Sequence, residues 1–197
     1  TLIVSFAHAA EEAQPKVGRK AAAKYFQGPA APKENSNHSS DENMLMLHVG
    51  GFSSSTSYSW KGSDKRVGIG QATYGITYLF DHWGGSDLNV RFDFAEYKLD
   101  SDRATKLSIL PLITFPSIST GFPLYFGIGA GAGVFFTQIS EESNLSFDYQ
   151  LVTGVRFTDL LEHTGIFVEF GLKNHLLLLS DGQFNGTALS AGAIFTF

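Results

Sequence analysis

Side chains able to do chemistry are few in this chain, and their spacing is unhelpful to catalysis. Cysteine is absent, which removes a thiol nucleophile, thiolate metal ligands and disulfides. The nearest nucleophile–base–acid grouping is Glu169, His175 and Ser180, the residue types an acyl-transfer site needs. Side chains of an extended strand alternate between its faces. His175 and Ser180, at 175 and 180 in the numbering, therefore fall on opposite faces, while Glu169 shares a face with His175. No catalytic residue is assigned, and this trio stands only as the runner-up site. His38, Asp41 and Glu42 sit in a polar stretch without ligand spacing on a rigid element, so no metal site is expected. Gly127-x-Gly129-x-x-Ala132 formally matches a dinucleotide loop, but that fingerprint needs a helix behind it. Val134-Phe135-Phe136-Thr137 continues as a strand, and no cofactor is expected.

The ordered charges are Arg91, Asp93, Asp148, Arg156, Glu169 and Lys173, three of each sign. Each lies in a segment of period two. In 88–95, Leu88, Val90, Phe92 and Phe94 share one face and Asn89, Arg91 and Asp93 the other. Phe147, Tyr149, Leu151, Val155 and Phe157 oppose Asp148, Gln150 and Arg156. Val168, Phe170 and Leu172 oppose Glu169, Gly171 and Lys173, and Tyr74, Ile76, Tyr78 and Phe80 oppose small or polar residues. Such alternation marks strands. Turn-forming breaks divide the segment into eight, near 44–53, 66–80, 88–99, 107–115, 124–137, 145–157, 165–177 and 187–197, with a connection at 53–65.

Which face is the core follows from composition. The chain has 18 Phe and 21 Gly among 197 residues but only 17% charged residues, against about a quarter in ordinary domains. A solvated outer face would be rich in Lys and Glu. Here the polar face is mostly Gly, Ala, Ser and Thr with balanced ions, which suits a narrow interior where charges must pair. Gly127, Gly129, Gly131 and Gly133 would leave room there. The apolar face then meets lipid, the inverted pattern of a membrane barrel. Arg91, Asp93, Asp148, Arg156, Glu169 and Lys173, joined by His48 and Gln150, are expected to form a paired plug. The alternative is a narrow, gated, porin-like ion path. A soluble carrier would need the aromatic face inside.

Residues 1–10 read as the end of a signal peptide, with Ala7-His8-Ala9 as the cleavage pattern. Residues 11–43 read as a flexible arm whose Lys16, Arg19, Lys20 and Lys24 form a basic face suited to phosphate head groups or cell-wall polymer. Residues 44–197 form the barrel. Net charge of −5 argues against nucleic acid. Trp60, Trp83 and Tyr58 are expected in interfacial girdles. Leu176 to Leu179 are expected to alternate in and out.

The closing Ala193-Ile194-Phe195-Thr196-Phe197 resembles the assembly signal of bacterial outer-membrane barrels. With Lys106 to Leu112, Leu124 to Gly133 and Asp181 to Gly186, residues 44–197 resemble the small eight-stranded outer-membrane β-barrel family, the OmpA/OmpX/opacity-like group. The resemblance implies an all-β antiparallel up-and-down barrel in the outer membrane of a Gram-negative cell envelope. It further implies an N-terminal arm in the periplasm and contact with outer-membrane lipids and lipopolysaccharide. Recognition by the barrel assembly machinery through Phe197 and a structural, adhesive or surface-contact role, with a possible cell-wall partner, complete the set. Some such barrels deacylate lipid A with a His and a Ser two apart on one strand, facing lipid. Glu169, His175 and Ser180 depart from that pattern, so the expected reading is no enzyme.

Overall fold

The computed structural model describes residues 43–197 except 101, 138 and 140. The signal-like residues 1–10, the arm up to 42 and His38, Asp41 and Glu42 lie outside the described residues. The strands are β1 (Met44–Trp60), β2 (Ser63–Val67), β3 (Gly70–Trp83), β4 (Ser86–Leu99), β5 (Asp102–Phe115), β6 (Leu124–Phe135), β7 (Leu145–Leu161), β8 (Thr164–Leu177) and β9 (Gln183–Thr196). β2 and β3 keep one register along β1, with Thr56 opposite Val67 and Gly51 opposite Ala72. They are one barrel strand interrupted at Gly68, whose φ of 69° is open to glycine without steric cost.

With β2 and β3 counted as one, each strand pairs antiparallel with the next, and β9 pairs back onto β1. Asn43 and Phe197 exchange backbone hydrogen bonds of 3.0 and 3.1 Å at the seam. The barrel is thus closed and eight-stranded, as the alternation requires. Hydrogen-bonded partners lead from Met44 through Leu79, Asn89, Leu112, Gly129, Gln150, Lys173 and Gly186 back to β1 at Ser55. Returning far up the strand from Met44 is the stagger that tilts the strands of a closed barrel.

The two faces sort as expected. Ile76, Phe80, Phe92, Ile109, Phe126, Ile128, Phe147, Leu151, Phe170 and Leu189 are exposed around the wall, while Arg91, Asp93, Asp148, Gln150, Glu169 and Lys173 are buried inside. An apolar band encircling the molecule would be untenable in water. In hydrocarbon a closed barrel leaves no backbone group unpaired. The fold is a transmembrane barrel.

Several boundaries differ from the sequence reading. Residues 53–60 extend β1 instead of forming a connection, and the turn lies at Lys61 and Gly62. β7 runs on to Leu161 and β9 begins at Gln183. Trp60 is not in an interfacial girdle: it is fully buried within the barrel. The cause is local. A bulge between Phe52 and Ser54 shifts the inward parity to Ser55 and Ser57. Ser59, with φ of 56°, shifts it again and turns Trp60 inward. Trp83 and Tyr58 remain exposed. Leu176 and Leu177 alternate out and in, whereas Leu178 and Leu179 are both exposed at the turn.

One end of the barrel carries Asn43, Phe197 and the connections 84–85, 116–123 and 162–163. It is called the terminal end below. The far end carries 61–62, 100–101, 136–144 and 178–182.

Candidate functional site

The candidate site is the lumen, built wherever the inward residue of a strand is polar. Near mid-barrel, Arg91 of β4 meets Glu169 of β8 fork to fork, at 2.8 and 2.7 Å. Its Nε donates to Thr77 at 2.9 Å, and the Tyr125 hydroxyl donates to Glu169 at 2.8 Å. Paired N–H···O bonds between ions are the strongest hydrogen bonds a protein makes, and they fix geometry as well as energy.

A second group gathers around Asp93. Lys173 Nζ donates to Asp93 Oδ2 at 2.5 Å and to Thr73 at 2.7 Å. The Thr73 hydroxyl in turn donates to Asp93 Oδ1 at 2.9 Å. Gln150 donates to Oδ2 at 2.8 Å, and His48 Nε2 lies 3.3 Å from Oδ1. Four side chains from four strands thus converge on one carboxylate, whose lone pairs are fully used. His48 and Gln150 both lie against this carboxylate.

The remaining two charges pair with residues that the sequence reading did not place in the lumen. Asp148 accepts from Lys106 at 2.8 Å and from Ser146 at 2.6 Å. Arg156 contacts Asp87 at 3.3 Å and the Pro116 carbonyl, with its guanidinium 5.1 Å above the Tyr125 ring. Asp87 also accepts from Ile118 N at 2.8 Å and lies 2.9 Å from His82 Nδ1. The signal that could have found both partners was present. Lys106 and Asp87 share inward parity with their strands, but each lies one residue outside the limits drawn at 107 and 88.

Apolar clusters close both ends. At the terminal end Met44, Met46, Leu79, Leu112, Tyr125, Val152, Phe167 and Ile194 pack together. At the far end Trp60, Tyr97, Phe135, Phe184, Leu177 and Ile139 do so. His175 is part of this second cap, stacked 5.5 Å from Trp60 and 5.0 Å from Phe184. Above the cap, Glu142 accepts from Lys61 N at 3.0 Å and from the Ser180 hydroxyl at 2.7 Å. That one carboxylate ties three far-end connections together.

The inward glycines make room, though for neighbours more than for side chains from across the lumen. A Cβ on Gly133 would come within 2.6 Å of the Asp148 carboxylate from the next strand, and one on Gly154 within 2.8 Å of the Tyr125 ring. The packing leaves a cavity of about 10 Å³ among Asp93, Lys173 and Gln150 on one side and Lys106, Asp148 and His175 on the other. That is room for about one water molecule.

The runner-up trio does not assemble. Glu169 is held by Arg91 and Tyr125. Ser180 donates to Glu142 in the far-end turn. His175 faces the lumen with its Nδ1 2.9 Å from Lys106 Nζ. An ammonium has only donors, so Nδ1 accepts and the ring proton sits on Nε2. No described side chain hydrogen-bonds that Nε2, so this imidazole has no hydroxyl to activate. Among the described residues there is also no His, Asp or Glu group arranged to hold a metal.

No protein-family description matches the chain, and no curated protein does. Among solved structures, Neisserial surface protein A (NspA) is similar with a TM-score of 0.53 at 14% identity, over 79% of this chain and 97% of that one. The outer membrane enzyme PagL aligns with a TM-score of 0.40 at 16% identity, over 75% of this chain and 97% of that one. Ail, the attachment invasion locus protein of Yersinia pestis, aligns at 0.45 and 13% identity, over 78% and 99%. The likeness is one of fold, that of the small eight-stranded outer-membrane barrels.

Proposed function

We propose that this chain is an integral protein of a Gram-negative outer membrane whose sealed barrel serves a structural, adhesive or surface-contact role without catalysis or conduction. One observation carries the reading: the lumen is filled by four buried ion pairs, three between two apolar clusters and the fourth, Arg156 with Asp87, at the terminal mouth. An ion path would need a continuous wet track, whereas every buried charge here is spent on another. The runner-up catalytic base is out of reach of a substrate, because His175 is enclosed between Lys106 and the aromatic cap.

In this reading the terminal end faces the periplasm, with residues 11–43 as its arm, and Phe197 is presented to the barrel assembly machinery. The far end faces outward. There Lys98 and Arg103 are exposed and directly opposed on β4 and β5, beyond the last apolar pair Phe94 and Leu107. Like charges so placed repel each other. Phosphates of lipopolysaccharide lying between them would relieve that repulsion.

Planar-bilayer recording tests the lumen: pure refolded protein should show no sustained conductance, and steady channel activity would overturn the sealed reading. Mass spectrometry of lipid A incubated with the protein, with a His175→Ala control, tests the enzyme alternative. An unchanged acyl pattern is expected. Acyl loss that disappears in the control would install the deacylase in its place.

A further inference from the structure

The outer wall carries one recess that the sealed lumen does not explain. Thr153 on β7 stands directly between Phe126 on β6 and Phe170 on β8. The next outward row, Ile128, Leu151 and Leu172, is large throughout. Phe115 on β5 stacks on Phe126 at 5.7 Å and thickens that wall. A short side chain ringed by long ones leaves a concavity of about 380 Å³, within the roughly 300–1,000 Å³ range of small-molecule sites. The small outward Ala191 does not do this. On β9 it has only Val49 and Val168 beside it, so its walls are low.

We infer that this recess is a binding groove for one acyl chain of a glycerophospholipid from the leaflet nearest the terminal end. The inference rests on the membrane reading proposed above. The groove lies inside the apolar band, and Phe115 and Phe126 sit close to the terminal-end limits of β5 and β6, which places it in that half of the bilayer. Its rim is hydrocarbon on every side, so a polar head group or a peptide backbone would be left unpaired in it. A second copy of the barrel presents the same convex wall and cannot fill a recess. A single flexible hydrocarbon chain can, with its head group beyond the strand ends. A Phe at position 153 fills the floor and displaces contacts equivalent to roughly two methylene groups, which lowers occupancy about tenfold.

The full chain, refolded into phosphatidylethanolamine and phosphatidylglycerol vesicles, is photolysed with a phosphatidylcholine bearing a diazirine on one acyl chain, and its adducts are mapped. Adducts are expected to concentrate on the peptides around Phe126, Leu151 and Phe170. Thr153→Phe should reduce them about tenfold, while Ala191→Phe should leave them unchanged. Thr153→Leu, with a smaller change in bulk, should give an intermediate loss and guards against misfolding of the first variant, which heat-dependent gel mobility also checks. Even labelling around the wall, or equal labelling of Thr153→Phe and the wild type, would overturn the groove. Preferential labelling of the same peptides by a lipid A bearing the diazirine would overturn the choice of leaflet. If the folded protein fails to enter vesicles at all, the membrane reading itself falls, a result separable from any labelling pattern.

Discussion

The two halves of the lumen are sealed by different chemistry. Toward the terminal end the seal relies on guanidinium groups. Arg91 engages Glu169 through two parallel bonds, and Arg156 holds Asp87 and a backbone carbonyl while lying over Tyr125. Toward the far end the cation is Lys106, a point charge on Asp148, and rings supply most of the closure. A planar fork fixes its partner in direction as well as distance, whereas an ammonium does not. The terminal half therefore adds directional guanidinium bonds to its apolar cluster, whereas the far half relies on an ammonium and a set of packed rings. The difference teaches that one narrow interior can be closed by two independent devices.

Breaking the ionic device should cost most. Arg91→Leu leaves Glu169 buried without its fork, and the expected loss is about 4 kcal/mol, read as a lower urea midpoint in detergent. Arg91→Leu combined with Glu169→Leu should regain most of that loss. A double variant as unstable as the single one would show that the pair is not what Arg91 contributes. Trp60→Ala attacks the packed device, removes the ring at the centre of the far cap, and should cost about 3 kcal/mol. The variant should remain non-conducting in planar bilayers, because the ionic layers beneath are untouched; conductance would mean that the cap alone closes the lumen. Glu142→Gln is the smallest change. An amide keeps one acceptor oxygen where the carboxylate gives one to Lys61 N and the other to Ser180, so a cost of about 1 kcal/mol is expected. Faster proteolysis within 136–144 should accompany it, and an unchanged cleavage rate would show that this carboxylate does not hold the connections.

Much of this was legible in the chain. Period-two alternation is the same for every strand of a closed barrel, so Phe92 could be placed on the wall and Arg91 in the lumen without knowing any neighbour. The candidate site was legible to the level of membership but not of pairing. Arg91, Asp93, Asp148, Arg156, Glu169 and Lys173 all lie buried in the lumen, yet Lys106 and Asp87 escaped because inward parity was applied only within strand limits drawn one residue short. Trp60 misled for another reason: a bulge and a left-handed Ser59 shift parity twice within β1, and nothing in the run of serines marks where.

The sequence by itself determined the architecture and the allocation of faces, since both follow from alternation and from the cost of placing charge in hydrocarbon. Tertiary structure alone decided who meets whom. Which carboxylate each cation holds, and that Thr153 lies between Phe126 and Phe170, depend on the register of strands far apart in the chain. Register is set by the whole closed ladder of backbone hydrogen bonds, so no local stretch of residues contains it.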